Sequence, residues 1–325
     1  MSVISPHLAG SLRAAADAAI EVAVPVSFSR LGFSVRRSLW GWGPSTAAAA
    51  GRTIVVTGAT SGLGYETAQE LLAAGANVEI VARDRARGAA AARRLGAAAG
   101  VDPPVVRLAD LGDLDAVRAL ADELREAHDT IDGLVHNAGA MPTRRVVTGD
   151  GLESAWASMV AGPHLLTRLL GDVLSRATVV FVTSGGMYTQ ALPLDDPSYS
   201  SGDFKGSIAY SRAKRAQVDL VAEYERRLLP GANATVVAVH PGWADTPGVV
   251  ESLPTFHLVL GPVLRSPAEG VDTVVWAVGS GERLDGGRLY FDRRVRGVSR
   301  WPGTATSDTD RAALWDLVER QCGLT

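Results

Sequence analysis

Cysteine is nearly absent from this 325-residue chain: the only one, Cys322, lies close to the C-terminus. One thiol can form neither an internal disulfide nor a cysteine-built zinc cage. The chain therefore reads as the product of a reducing, cytoplasmic compartment, and no metal is expected. Lysine is almost as scarce, since only Lys205 and Lys214 occur and thirty of the thirty-two basic residues are arginine. A lysine kept in such a chain raises the question of why arginine's planar fork would not serve. An excess of charge is also lacking: a net −3 gives no electrostatic reason to expect nucleic acid as a partner. No segment reaches the roughly 18 uninterrupted apolar residues of a membrane span. The N-terminus has no compact basic start with a small-residue cleavage site, so no signal peptide is expected.

The first 50 residues differ from the rest. Segment 8–40 is apolar with scattered Arg13, Arg30, Arg36 and Arg37, and is interrupted by Glu21 and Pro25. Trp40 and Trp42 then lead into Gly43-Pro44, a run of alanines and Gly51, which reads as a linker. The favoured expectation for residues 1–50 is a helical extension packed on the following domain. The alternative is an amphipathic arm that contacts a membrane surface or a second copy of the chain. The linker also suggests that residues 1–45 could be removed without loss of a folded, nucleotide-binding domain.

From residue 52 short β-branched runs alternate with helical stretches. Strands are expected at 53–56, 78–81, 105–108, 134–135, 179–182 and 236–239, with helices at 63–74, 84–98, 113–127, 154–174 and 207–229. Continuous apolar runs mark strands covered on both faces, and β-α alternation requires a parallel sheet with right-handed crossovers. Residues 51–325 are thus expected to form one α/β domain, a Rossmann-type doubly wound sheet. Directly after the first strand comes Thr57-Gly58-Ala59-Thr60-Ser61-Gly62-Leu63-Gly64. Glycines between a buried strand and a helix allow the tight turn and close backbone approach that a pyrophosphate needs, and the phosphates meet the helix N-terminus. The second strand ends at Arg83-Asp84. Arginine there pairs with a 2′-phosphate and an acid with free ribose hydroxyls, so NADP is favoured while Asp84 keeps NAD open. Asp110 and Leu111 follow the third strand as adenine-side candidates, unless Asp110 serves as a helix cap.

Tyr210 and Lys214 are four residues apart on one predicted helix face. A tyrosine exchanges a proton near neutral pH only if its phenolate is stabilised, and a neighbouring ammonium does that. Ser184, at the end of the strand 179–182, points a hydroxyl into the crevice where such sheets bind ligands and could polarise a carbonyl oxygen. The residues read as a hydride-transfer site in which Tyr210 is the general acid/base, Lys214 lowers its pKa and holds a ribose, and Ser184 binds the substrate oxygen.

Together, the glycine turn, His136-Asn137-Ala138-Gly139, Ser184, the Tyr210/Lys214 pair and Pro241-Gly242 resemble the short-chain dehydrogenase/reductases from about Gly51 to Arg294. A closer resemblance, to a subgroup that also carries an N-terminal extension, rests on Ser184-Gly185-Gly186-Met187, on His240 through Gly248, and on Gly287-Arg288 leading to Phe291-Asp292-Arg293. The resemblance implies that Asn137, Ala138 and Gly139 lie beside the adenine ribose. It also implies that Pro241, Gly242, Trp243 and Thr246 line the nicotinamide. It further implies a homo-oligomer and an apolar carbonyl or alcohol substrate, walled by residues 186–207 and 243–265. Two departures stand out. His136 replaces a customary asparagine, and Met159 stands where the family has an asparagine that anchors a proton-relay water. Pro163 should also disturb the hydrogen bonding of the preceding turn. With Met159 the alternative function is a nucleotide-binding sensor or scaffold with little turnover, unless His164 relays the proton.

Overall fold

The six apolar runs all become parallel strands. The computed structural model describes residues 6–192, 194–227 and 234–324. Within them lie β1 (Thr53–Thr57), β2 (Asn77–Ala82), β3 (Val105–Leu108), β4 (Gly133–His136), β5 (Thr178–Val182), β6 (Thr235–Val239), β7 (Leu289–Phe291) and β8 (Arg294–Arg296). The sheet order is β3-β2-β1-β4-β5-β6-β7-β8, and only β8 runs antiparallel. The chain winds outward in both directions from the β1/β4 pair, which is the topological switch point at which such sheets bind ligands.

Alternation within each strand explains the continuous apolar runs. Val55, Leu134, Val179, Phe181 and Ala238 point into one core, whereas Ile54, Val56, Val135, Val180, Val182 and Val237 point into the other. Helices 114–127, 206–227 and 308–321 cover the first face, and helices 62–73, 85–99 and 267–279 cover the second. Predicted residues 228–229 lie outside the described segments. The expected single helix at 154–174 is broken: a π-turn occupies Ala157–Ala161, and the helix ends at Leu169. Pro163 gives the reason. It has no N–H for the carbonyl four residues back, so the bonding shifts and Gly162 N–H reaches Ala157 O instead. The hairpin β7–β8 was not anticipated because its three-residue strands are too short to show a period. Its turn residues Asp292 and Arg293 both adopt left-handed φ, +52° and +55°, as a two-residue type I′ hairpin turn requires.

The N-terminal segment folds as helices Pro6–Val22, Val24–Phe28 and Arg30–Trp40. They are joined to the domain by buried charge. Arg36 is fully buried and donates to Asp17 (2.8 Å), Glu21 (2.6 Å) and Asp292 (2.8 Å). Arg265, also buried, donates to both oxygens of Asp292 at 2.6 and 2.9 Å. Burial pushes the Asp17 carboxyl up, but hydrogen bonds from Arg296 and Arg36 outweigh it and hold the group below its usual range. Removing one member of such a cluster strands its partners, at a cost of about 3–5 kcal/mol. This packing revises the expectation that residues 1–45 are dispensable. Among the described residues, no helix is long and apolar enough to cross a membrane.

Candidate active site

The glycine turn sits at the switch point as its spacing implied. Gly58 has φ +66°, and a Cβ there would stand 2.7 Å from the Ala138 backbone at the end of β4. At Gly64 a Cβ would run into the Asn137 amide and the Gly58 carbonyl. Any larger residue at these positions would push the turn away from β4. The strand ends are then pinned by Thr57, whose buried hydroxyl accepts from the Asn137 and Ala138 N–H groups (both 3.1 Å) and donates to Val135 O. Asn137 completes the clamp by donating Nδ2 to the Thr57 and Gly58 carbonyls at 3.2 and 3.3 Å. Ser61 precedes helix 62–73 in an extended conformation and makes no side-chain cap. The first amides of that helix thus find no acceptor in the Ser61 side chain. Leu63 packs beneath the turn in the second core, and Gly62 (φ +57°) faces Thr246, with an added Cβ 3.7 Å from Thr246 Cβ. The turn and the loop after β6 therefore converge.

The structure separates Arg83 from Asp84. Asp84 caps helix 85–99 by accepting Arg87 N–H at 2.7 Å. Arg83 is exposed and, among the described residues, has neither an ion pair nor a hydrogen bond. A similar division holds after β3. Asp113 caps helix 114–127, while Asp110 stays exposed and accepts Gly112 N–H at 2.9 Å. Leu111 is different: its side chain is buried in the first core, so only its backbone is left to meet a ligand.

Tyr210, Lys214 and Ser184 come together on helix 206–227 and at the end of β5. Lys214 Nζ lies 5.5 Å from the Tyr210 ring centroid and donates to Val182 O at 2.7 Å. Thr183 steadies the helix by donating to Lys214 O (3.0 Å). Ser184 Oγ accepts Gly186 N–H at 3.4 Å and lies close enough to the Tyr210 phenol to work against the effect of its burial. Burial pushes Lys214 from 10.5 down to about 7. It pushes the Tyr210 phenol up, and only Ser184 works against that. The expected lowering of Tyr210 by the ammonium is therefore absent in the protein alone, because desolvation dominates both groups.

Met159 packs under this site. A Cβ on Gly139 would lie 2.8 Å from Met159 Sδ and 3.4 Å from Lys214 Nζ. Because Pro163 cannot donate to the Met159 carbonyl, that oxygen accepts from Gln217 Nε2 at 2.7 Å. Gln217 was missed in the sequence, although Pro163, four residues after Met159, was the available signal. His136 is buried, and its pKa is depressed by burial to about 3. Thr167 Oγ1 donates to Pro163 O, so His136 Nε2 donates to Thr167 Oγ1 (2.8 Å). His164 does not approach as a free relay. Its nitrogens are taken by Glu319 (2.6 Å) and the Tyr224 hydroxyl (2.8 Å), and its ring lies edge-on to Trp315. It ties helix 308–321 to the core.

The arrangement can hold a dinucleotide along the carboxyl ends of β1, β4 and β6 and keep an exchangeable proton beside it. Comparison with known proteins agrees. A family model for short chain dehydrogenase matches residues 52–255. Dehydrogenase/reductase SDR family member 12 of Bos taurus is 34% identical over 83% of this chain and 86% of its own length. Human retinol dehydrogenase 14 is 34% identical over 84% and 87%. A crystal structure of an uncharacterised protein from Mycobacterium paratuberculosis superposes with a TM-score of 0.69, at 31% identity, over 87% of this chain and 97% of that one. The likeness to member 12 fits the motif reading of the chain's C-terminal half. The chain belongs to the short-chain dehydrogenase/reductase family of oxidoreductases.

Proposed function

We propose that the protein is an NADP(H)-dependent reductase or dehydrogenase acting on an apolar carbonyl or alcohol. The observation that carries this reading is the convergence of Ser184, Tyr210 and Lys214 at the crevice where the glycine turn and Thr246 also meet. Thr57 and Asn137 hold the turn open for a pyrophosphate, and the free helix amides at 62–64 receive it. Arg83, with no internal partner among the described residues, supports a 2′-phosphate, while Asp84 is spent on its helix cap. A bound nicotinamide would supply or accept the hydride. Ser184 donates to the substrate oxygen, Tyr210 gives or takes the proton at that oxygen, and Lys214 holds a ribose hydroxyl and keeps the tyrosine in reach. The apolar substrate preference is supported by Leu192, Leu194, Phe204, Ile208 and Trp243, which are only partly buried where they pack on the first core and lie in or next to the two segments expected to wall the substrate, and by a relative named for retinol, an apolar alcohol.

The test is the loss of reduced-nicotinamide absorbance with NADPH and NADH against a panel of aldehydes, ketones and quinones. Equal use of both cofactors removes the NADP assignment, and turnover confined to small polar carbonyls removes the substrate class. A sensor or scaffold with little turnover is favoured by one observation, the thioether of Met159 beside Lys214. Tight nucleotide binding without hydride transfer on any of the panel would decide for it. A homo-oligomer and a peripheral membrane contact are part of the same reading. Leu12, Val22 and Leu31 are exposed on the N-terminal helices, and sedimentation and vesicle flotation test the two.

A further inference from the structure

The N-terminal helices reach the active site from behind. Trp243 N–H donates to Phe28 O at 2.8 Å. Arg265 N–H donates to Trp243 O at 2.8 Å, and the Arg265 side chain sends Nε to Phe28 O (3.1 Å) and Nη2 to Ser27 O (3.1 Å). Two residues of the arm thereby hold the loop His240-Pro241-Gly242-Trp243 by its backbone. The Phe28 ring is edge-to-face with His240 (4.4 Å), Trp243 (5.6 Å) and Phe291 (5.3 Å). It also touches the other strand end, since a Cβ on Gly185, the neighbour of Ser184, would lie 3.0 Å from the ring. Gly242 packs so closely on the Arg265 guanidinium that a Cβ would run into it. The Arg36–Asp292–Arg265 cluster anchors the arm in this position. Among the described residues, 24–36 make no hydrogen bond or ion pair with the glycine turn, Arg83 or Asp110.

We propose that Ser27 and Phe28 are positioning residues for the nicotinamide half of the cofactor site, so that the arm is a component of the active site rather than an appendage. The proposal rests on the reading of residues 241–246 as the nicotinamide side. The physical route is short. The ring of Phe28 fills the space between the ends of β5 and β6, and its carbonyl sets where Trp243 N–H lies. Truncating the ring lets the 240–243 loop relax, while the adenine half, built from β1, β2 and the glycine turn, keeps its own supports.

The experiment compares the full-length parent with Phe28→Ala and Phe28→Leu. Tryptophan fluorescence titrations follow NADPH, which spans both halves, and 2′-phospho-AMP, which engages the adenine half alone; NADH and AMP are run beside them. The expected result is NADPH affinity weakened about tenfold or more in Phe28→Ala with 2′-phospho-AMP unchanged, and Phe28→Leu in between. If Phe28→Ala does not fold, the same inequality is required of Phe28→Leu. Equal weakening of both ligands, or none, overturns the arm's role while leaving the cofactor reading intact. A parent that binds neither dinucleotide overturns the cofactor reading and this proposal with it.

Discussion

Replacing Lys214 by methionine should make the cofactor-free protein more stable while removing its activity. Lys214 is 2% exposed, and burial lowers it from 10.5 to about 7. An unfolded chain therefore binds the proton more tightly than the native one. At pH below 7 both states are protonated, and the native state carries the full penalty of a buried ammonium, about 5 kcal/mol. The penalty declines as pH rises from 7 and is gone above 10.5, where both states are neutral. Methionine fills similar volume without charge, but it leaves Val182 O without its 2.7 Å donor, which costs about 1–3 kcal/mol. The balance is a variant more stable than the parent by about 2–4 kcal/mol near pH 6. The order reverses near pH 10, where only the unpaired carbonyl is left. Urea unfolding of both proteins without cofactor, from pH 6 to 10, measures the gap. A variant no more stable than the parent at pH 6, or a gap that does not narrow with pH, would refute the claim that burial governs this lysine. Hydride transfer by the variant at the parental rate would refute its place in the site.

Tyr210→Phe should keep nucleotide affinity, read by fluorescence titration, and lose turnover by about 100-fold or more, the worth of a positioned proton donor. Arg83→Ala should raise the Kd for NADPH at least about tenfold and leave NADH unchanged; equal effects on both would remove the 2′-phosphate assignment. Met159→Asn should raise the steady-state rate with the single-turnover rate unchanged if reprotonation limits turnover, and stopped-flow comparison separates the two. His164→Phe should lower stability by about 1–2 kcal/mol, seen as a reduced urea midpoint, because buried Glu319 is left with only Arg168 at 3.3 Å and the Tyr224 hydroxyl with only a backbone carbonyl at 3.4 Å. Arg36→Met should cost about 3–5 kcal/mol by leaving Asp17 and Asp292 short of a partner, and deletion of residues 1–43 should abolish soluble expression.

The six central parallel strands, most of the helices between them, and the positions of the glycine turn, Tyr210, Lys214 and Ser184 at strand ends and on one helix face were legible in the sequence for local reasons. A buried parallel strand needs a continuous apolar run, a phosphate turn needs glycine at fixed offsets, and a four-residue spacing aligns side chains on a helix wherever the helix lies. The same locality made Pro163 readable as a disturbance of the helix before it. Only the tertiary structure showed what resolves it: Gln217, 58 residues away, donates to the carbonyl that Pro163 leaves open. The division of labour between Arg83 and Asp84 likewise needed the geometry of a helix cap, and the pKa of Lys214 needed its burial. The role of the first 40 residues was least visible. Their partners, Asp292, Arg265 and Trp243, are more than 200 positions distant, and no period or spacing records a pairing across that distance. Arg36 looked like one arginine among thirty until folding brought it against Asp292, where a charge without water must find a partner.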